Sequence, residues 1–385
     1  MTLTDKILVK TLGQILRGET PDSNILSECS AEDFFSCAEK NGVLHMVLNP
    51  VFEVIGECAA INKYSLYDSK NVLNEVNQTY AWDEFKQKAE KQGIDILMLK
   101  GIYLKGLYPD PALREMCDID FLFKTEQEKE LSELLFSLGY LKKKTTACHD
   151  GWFNPINGVT MESHRIINSD EDNRIDYYAL LWERALSYEE NKHIFCMTTE
   201  DNFIHLLLHL RSHLKTKSAN LKQLADLYII YNSAEFNVNL IYEHLNSLDL
   251  VFLSKNVIKL VKYIFDKNFD ESAEDISELA DYIMGNLSFG EFDYDASKEA
   301  YLSSGSRFKS LLRHIFPSPQ KIYNSFPFIK KYKLLLPLGY IYRLFQSFGI
   351  RNKNFKKKLK LASEVSSEAA IQGKKIIDFF EKYGI

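Results

Sequence analysis

The 385-residue sequence has only six cysteines, Cys29, Cys37, Cys58, Cys117, Cys148 and Cys196, and no CxxC pair among them. In a chain of this length, so few and so scattered, they do not suggest the disulfide framework of a small secreted domain. Nor do they give a thiolate set with the spacing of a structural zinc site. Long apolar runs are missing too. The nearest approach, Leu334 to Phe345, is short and contains Pro337 and Arg343, whereas a membrane span needs about 20 apolar residues. The N-terminal segment MTLTDKILVKTLGQILRG is amphipathic and interrupted by charge where a signal peptide would have its apolar core. These absences point to a cytoplasmic protein. A strong charge excess is also lacking: the net charge of -6 carries no global signal for nucleic acid.

Hydrophobic residues make up 45% of the chain and charged residues 26%, so a sizeable core is available and long disorder is not expected. The length exceeds one ordinary core and suggests several packed modules. Residues 1–92 read as an N-terminal helical region. Ile7, Leu8, Leu12, Ile15 and Leu16 recur near helical spacing, and Ser69 to Gln92 reads as one long helix stopped by Gly93. Texture changes in 93–195. Ile94 to Leu99 is an apolar run of buried-strand type, followed by Lys100-Gly101, a helical turn through Leu107 and the loop Tyr108-Pro109-Asp110-Pro111. Asp118 to Phe123, Tyr140 to Ala147 and Val159 to Ile166 read as further strands. Thr125 to Glu128 has capping-box spacing and opens a helix that Gly139 ends. Residues 196–300 return to helices, notably Phe203 to Leu214, with Thr198, Thr199 and Asp201 as caps, and Asn220 to Tyr231. Residues 301–385 form a basic C-terminal helical region: Tyr301 to Ser363 holds 14 Lys or Arg and no Asp or Glu, and Glu364 to Tyr383 reads as an amphipathic helix. That basic stretch suits a solvated face, a complement to the acidic remainder, or an RNA or anionic surface.

The central feature is Asp118-Ile119-Asp120. On a strand, residues i and i+2 point to the same side, so two carboxylates share one face. Without a cation they repel, and one pKa rises. Mg²⁺ removes the conflict, because it favours a few carboxylates together with water and substrate phosphates. Two such ions can clamp the attacking and leaving oxygens of an in-line phosphoryl displacement. Glu162, in Val159-Thr160-Met161-Glu162-Ser163-His164, is the candidate third carboxylate on a neighbouring strand, with His164 facing the same side. A bare DxD is common by chance. Here it sits in an ordered unit: strand, glycine turn, short helix, Pro-rich loop with Arg114, then the DxD strand.

That unit carries a resemblance. LMLKGIYLKGLYPDPALREMCDIDFLF resembles the bacterial family described as uncharacterised nucleotidyltransferases, within the polymerase-beta-like superfamily. Family members show LKG, a Leu-rich helix, YP-x-P-x-x-R and D-[IL]-D, matched here by Lys100-Gly101, Tyr108-Pro109, Pro111, Arg114, Asp118 and Asp120. They continue with an acid-x-His element, matched by Glu162-Ser163-His164, a His-rich helix, matched by His209 and His213, and a helix carrying Asp226. The likeness runs over residues 93–350 and is most specific in 97–123.

The resemblance implies an α+β fold, a small mixed-sheet core with extensive helical segments on both sides. It also implies a Mg²⁺- or Mn²⁺-dependent enzyme that moves a nucleoside monophosphate from an NTP such as ATP to an acceptor, which could be a small molecule, a peptide or a protein. Asp118, Asp120 and Glu162 would hold metal, and Lys100, Gly101 and Arg114 phosphates. His164, His209, His213 and Asp226 would line the substrate cleft. Typical superfamily members carry Gly-Ser at the phosphate turn where this chain has Lys100-Gly101. Gly101 still permits close backbone approach, and Lys100 offers a direct phosphate contact. The departure keeps a second reading open, a nucleotide-binding but catalytically silent partner in a biosynthetic cluster. The basic C-terminal stretch motivates a third, an RNA-directed binder.

Blander readings stand beside these. Arg114 could pair with Asp118 or Glu115, and Lys100 could snorkel from a strand end. His205, His209 and His213 lie at i, i+4 and i+8, but no Glu occupies the HExxH position and no nearby acid or Cys completes a zinc shell. They read as structural or cleft-lining histidines.

Overall fold

The computed structural model describes residues 1–167, 177–237, 239–267, 274–289, 294–310, 319, 322, 335–341 and 365–385. The apolar run after Gly93 forms β1 (Ile96–Met98), buried along its whole length. β2 (Ile119–Phe123) pairs antiparallel with it. Strands β3 (Leu141–Thr145), β4 (His149–Phe153) and β5 (Thr160–His164) make an antiparallel meander that joins the sheet through a parallel β2–β5 pairing. On the other side, β7 (Ile194–Cys196) runs parallel to β1 and antiparallel to β6 (Leu186–Ser187). The result is one mixed seven-stranded sheet in the order β3-β4-β5-β2-β1-β7-β6. With the helices around it, the fold is α+β.

Five helices precede the sheet: α1 (Leu3–Leu16), α2 (Ser23–Leu26), α3 (Ala31–Lys40), α4 (Leu44–Ile55) and α5 (Ala59–Gln92). α5 ends at Gly93, whose φ of 72° and ψ of 29° place it in the left-handed region that glycine adopts without a Cβ penalty. The sheet also carries α6 (Gly101–Leu104), α7 (Glu128–Ser137) and α8 (Leu181–Arg184). Then come α9 (Thr199–Lys215), α10 (Leu221–Tyr231), α11 (Tyr242–Ser247), α12 (Val251–Phe265) and α13 (Glu274–Ile283). The Thr198 side chain accepts from the Asp201 N–H at the start of α9, and Asn220 forms a capping box with Gln223 at the start of α10.

Strand alternation decides what faces the site. Ile119, Phe121 and Phe123 of β2 pack with Met161 of β5 and Ile96 and Met98 of β1 against Trp82, Phe85 and Ala89 of α5 and Leu131, Leu134 and Leu135 of α7. The Phe85 and Phe121 ring centroids lie 4.9 Å apart. Each such fully buried side chain contributes roughly 1.5–3 kcal/mol. Asp120, between Ile119 and Phe121, is thereby turned to the opposite face.

Residues Met1–Leu287 form one compact unit and Ser288–Ile385 a second. In the second, α14 (Tyr294–Leu302) meets α15 (Ser367–Tyr383), and a Cβ on Gly373 would lie 2.3 Å from the Ser297 carbonyl oxygen. Most of the basic stretch 301–363 lies outside the described residues. Among those residues no helix is long and apolar enough to cross a membrane.

Three local expectations are revised. β4 was not foreseen, because Gly151 breaks its apolar pattern. β6 and β7 lie just ahead of a helical stretch and are too short to show a period. The capping box at Thr125 is not formed. Thr125–Gln127 is a 3₁₀ turn, and the Glu128 carboxylate instead accepts from Arg165 Nε (3.2 Å) and Nη2 (2.6 Å); Gln127 accepts from the Asp95 N–H (2.9 Å) and donates to the Gly93 carbonyl (2.8 Å), tying α7 to the start of β1.

Candidate active site

The turn from β1 into α6 sets one wall of the cleft. Lys100 has φ 41° and ψ -113°, a conformation that favours glycine and costs a lysine strain. The strain is sustained by its surroundings. The Lys100 carbonyl accepts from the Leu104 N–H (2.9 Å), and the Leu99 N–H bonds the Asp120 carbonyl (3.2 Å). Gly101 is required by packing: an added Cβ would lie 2.7 Å from Met116 Sδ and 2.9 Å from Arg114 Nη1. The Lys100 ammonium reaches toward Asp120, with Nζ 3.8 Å from Oδ2.

The loop after α6 is anchored from two sides. Asn74 and Gln78 of α5 both donate to the Met116 carbonyl (3.2 and 3.0 Å). Arg114 Nε and Nη2 donate to the two oxygens of Asp226 on α10, each at 2.8 Å, and the Tyr108 hydroxyl donates to Asp226 Oδ1 at 2.7 Å. Arg114 is 7% exposed and Asp226 3%. The Arg114 fork expected on phosphate is thus committed to a buried carboxylate, and Asp226 anchors a loop. The sequence spacing of 112 residues between these partners gave no sign of their pairing.

Asp118 sits at the bend before β2, and Asp120 on the strand. The parallel β2–β5 register sets Asp120 beside Glu162. His164, two residues on along β5, donates from Nε2 to Asp120 Oδ1 (2.9 Å) and lies 3.7 Å from Glu162 Oε2. Asp120, Glu162 and His164 each offer one ligand atom, and these atoms lie within 4.8 Å of one another. Burial and the neighbouring charges of Asp120 and Glu162 raise the Asp118 carboxyl to about 6. Burial also disfavours the charged form of Asp120, but the His164 hydrogen bond and the positive charge of Lys100 outweigh it and hold that carboxyl at about 2. Adjacent acids that repel in this way, with hard oxygen donors and one imidazole, fit a divalent cation.

His149 on β4 was not singled out in the sequence. Its Nε2 lies 3.8 Å from Glu162 Oε1, and its ring centroid is 5.2 Å from that of His164. No spacing rule links it to the site, because β4 itself was not foreseen. The third wall is α9. His205, His209 and His213 line one of its faces. His209 Nε2 and His213 Nε2 are 3.1 Å apart, and His213 Nδ1 meets Ser218 Oγ at 2.6 Å. Burial and the Lys100 charge push the His209 imidazole down to about 3. This α9 imidazole is therefore neutral, within electrostatic range of Lys100 and Asp120.

The model of the family described as "Uncharacterised nucleotidyltransferase" matches residues 33–266, which span the sheet, the carboxylates and α9–α12. No curated protein matches the sequence. Among solved structures, the chain resembles the antibiotic-resistance factor ANT(2'')-Ia, described in solution with substrate-regulated conformational dynamics. The two share 12% identity with a TM-score of 0.34, over 48% of this chain and 95% of that one, a likeness too slight to argue from.

Proposed function

Because the chain belongs to the uncharacterised nucleotidyltransferase family, we propose that its cleft transfers a nucleoside monophosphate from an NTP to an acceptor hydroxyl or similar group, releasing pyrophosphate. The observation that carries this reading is the β2–β5 register. It sets Asp120 against Glu162 with His164 beside them, and Asp118 stands at the strand entrance within reach of both acidic charges. Asp118, Asp120 and Glu162 would hold the divalent metal, Mg²⁺ or Mn²⁺, and His164 would complete or orient this set through its bond to Asp120. Such an ion would supply Lewis-acid neutralisation of phosphate charge at these carboxylates.

The remaining residues bind and orient. The Lys100 ammonium, 3.8 Å from Asp120, turns to the phosphates that enter beside it. Gly101 lets α6 pack down on Met116 and Arg114, which fixes the turn. Glu162 takes the proton of the acceptor hydroxyl as the new P–O bond forms. Arg114 and Asp226 hold the loop that delivers Asp118, and so position the acid without touching substrate. Positioning and electrostatics supply most of the acceleration in this scheme. The reading is tested by Mn²⁺ titration followed by electron paramagnetic resonance. Wild-type protein is expected to bind Mn²⁺ and the Asp120→Asn and Glu162→Gln variants to lose it. Equal binding in all three proteins would sink the assignment and favour a catalytically silent partner.

A further inference from the structure

Helix α5 carries apolar side chains on two opposite faces. Ala81, Trp82, Phe85 and Ala89 are buried against the sheet. The outward face of a surface helix is ordinarily polar. Here Leu73, Val76 and Tyr80 are 61%, 59% and 69% exposed, and Val72 beside them 53%. Single exposed apolar residues are common, but four on one helix face form a contiguous stripe. Its spacing of three and four residues is that of a seam between paired helices. Asn77 Nδ2 donates to the Asn157 carbonyl (3.0 Å), so the turn between β4 and β5 lies against α5 and holds Ile156, 89% exposed, at the flank of the stripe.

The charges around the stripe say what fits it. Lys70 is exposed near its start, and Asp83 and Glu84 lie near its end with side chains 50% and 41% exposed. The partners of these acids, Lys86 at 3.4 Å and Lys88 at 2.9 Å, are neighbours along the same helix and hold them weakly. Continuing the spacing from Tyr80 makes Asp83 a seam position and sets Lys70 and Glu84 on one flank. Two parallel copies would place Asp83 against Asp83 and Lys70 against Lys70. Antiparallel copies, with the two-fold axis midway between Val76 and Asn77, place Leu73 opposite Tyr80. They also bring Lys70 opposite Asp83 and next to Glu84 of the second copy. The surface is thus complementary to itself in the antiparallel sense, as a two-fold interface must be.

We infer that the outer face of α5 is a self-association surface, on which a second copy of this chain docks its own α5 antiparallel to form a two-fold dimer. Burial of Leu73, Val76 and Tyr80 drives the pairing, and the ion pairs at its two ends fix its direction. Asn74 and Gln78 hold the Met116 carbonyl from the inner face, so pairing leaves those bonds intact.

The test is size-exclusion chromatography with multi-angle light scattering on the full chain over a range of concentrations, with circular dichroism of each variant as the folding control. Wild type should reach twice the 44.6 kDa chain mass. Val76→Glu and Tyr80→Glu put charge into the seam and should run as monomers with the wild-type helical spectrum. Lys70→Glu alone, and Asp83→Lys together with Glu84→Lys, should each weaken dimerisation roughly tenfold, because each change acts at both ends of the two-fold pair. Combining all three substitutions restores opposite charges and should recover the wild-type dimer. That recovery reads the antiparallel register even if a seam variant does not fold. Wild type that stays monomeric at its highest soluble concentration, a dimer that Val76→Glu leaves intact, or a triple variant no tighter than the two partial ones would overturn the inference.

Discussion

At the scale of single residues, Lys100 sets local stability against site chemistry. Its φ of 41° is one that glycine adopts freely. Lys100→Gly should therefore raise the melting temperature, with about 1 kcal/mol of strain released, while weakening metal-dependent nucleotide binding through loss of the ammonium. Differential scanning calorimetry and nucleotide titration on the same preparation check both arms. A variant that loses stability would contradict the strain argument.

The two acids differ in sign. Asp118 is raised from its ordinary 3.8 to about 6, so its proton stabilises the metal-free fold at low pH, and that contribution is lost as pH rises through about 6. Asp120 is lowered to about 2, so its contribution is present above 3.8 and lost as pH falls toward 2. On the proposed assignment, Mg²⁺ binding displaces the Asp118 proton. Apparent Mg²⁺ affinity should thus strengthen as pH rises from 5 to 6, by up to about tenfold per unit, and level off above. Calorimetry in buffers of different ionisation enthalpy should detect proton release on the acid side of that range. The strand position of Asp120 was legible in sequence because alternation fixes its face, whereas Asp118, expected on the same strand, falls at the bend before β2. The commitment of Arg114 to Asp226 was not legible, since nothing local relates loop residues to a helix so far along the chain.

At the scale of elements, the Arg114–Asp226–Tyr108 cluster fastens the loop after α6 to α10. Removing one partner leaves the other charge buried and alone. Arg114→Ala should destabilise the protein by roughly 3–5 kcal/mol. The Arg114→Ala, Asp226→Ala double variant should lose much less than the sum of the single losses. Chemical denaturation of the four proteins measures this cycle, and strictly additive losses would contradict a shared network. Strands β1, β2 and β5 were legible from apolar runs and alternation. β4 and β7 were not, for physical reasons. Gly151 interrupts one, and the other is three residues whose strand state is imposed by pairing with β1. Helix signals fared better where a side chain had no competing partner. Thr198 caps α9 as its position suggests, while Glu128, the far end of the expected box, is drawn off by Arg165.

At the scale of the whole molecule, the mixed sheet buries one face under α5 and α7, which leaves the other free for chemistry. Long helical segments on both sides of the sheet then supply the walls: α5 holds Met116, α9 presents the histidines and α10 holds Arg114. The α+β class, the DxD strand and its Glu162 partner were readable from order and spacing. The way α9 and α10 close on them depends on contacts far apart in sequence, which no periodicity encodes. The account as a whole turns on whether this arrangement binds nucleotide through metal. The most direct measurement is titration of the purified protein with each labelled NTP, with and without Mg²⁺, beside the Asp118→Ala, Asp120→Ala double variant. Metal-dependent binding that the double variant loses is the predicted result. Wild-type protein that binds no NTP at millimolar Mg²⁺ or Mn²⁺, or a double variant that binds as wild type does, would contradict it.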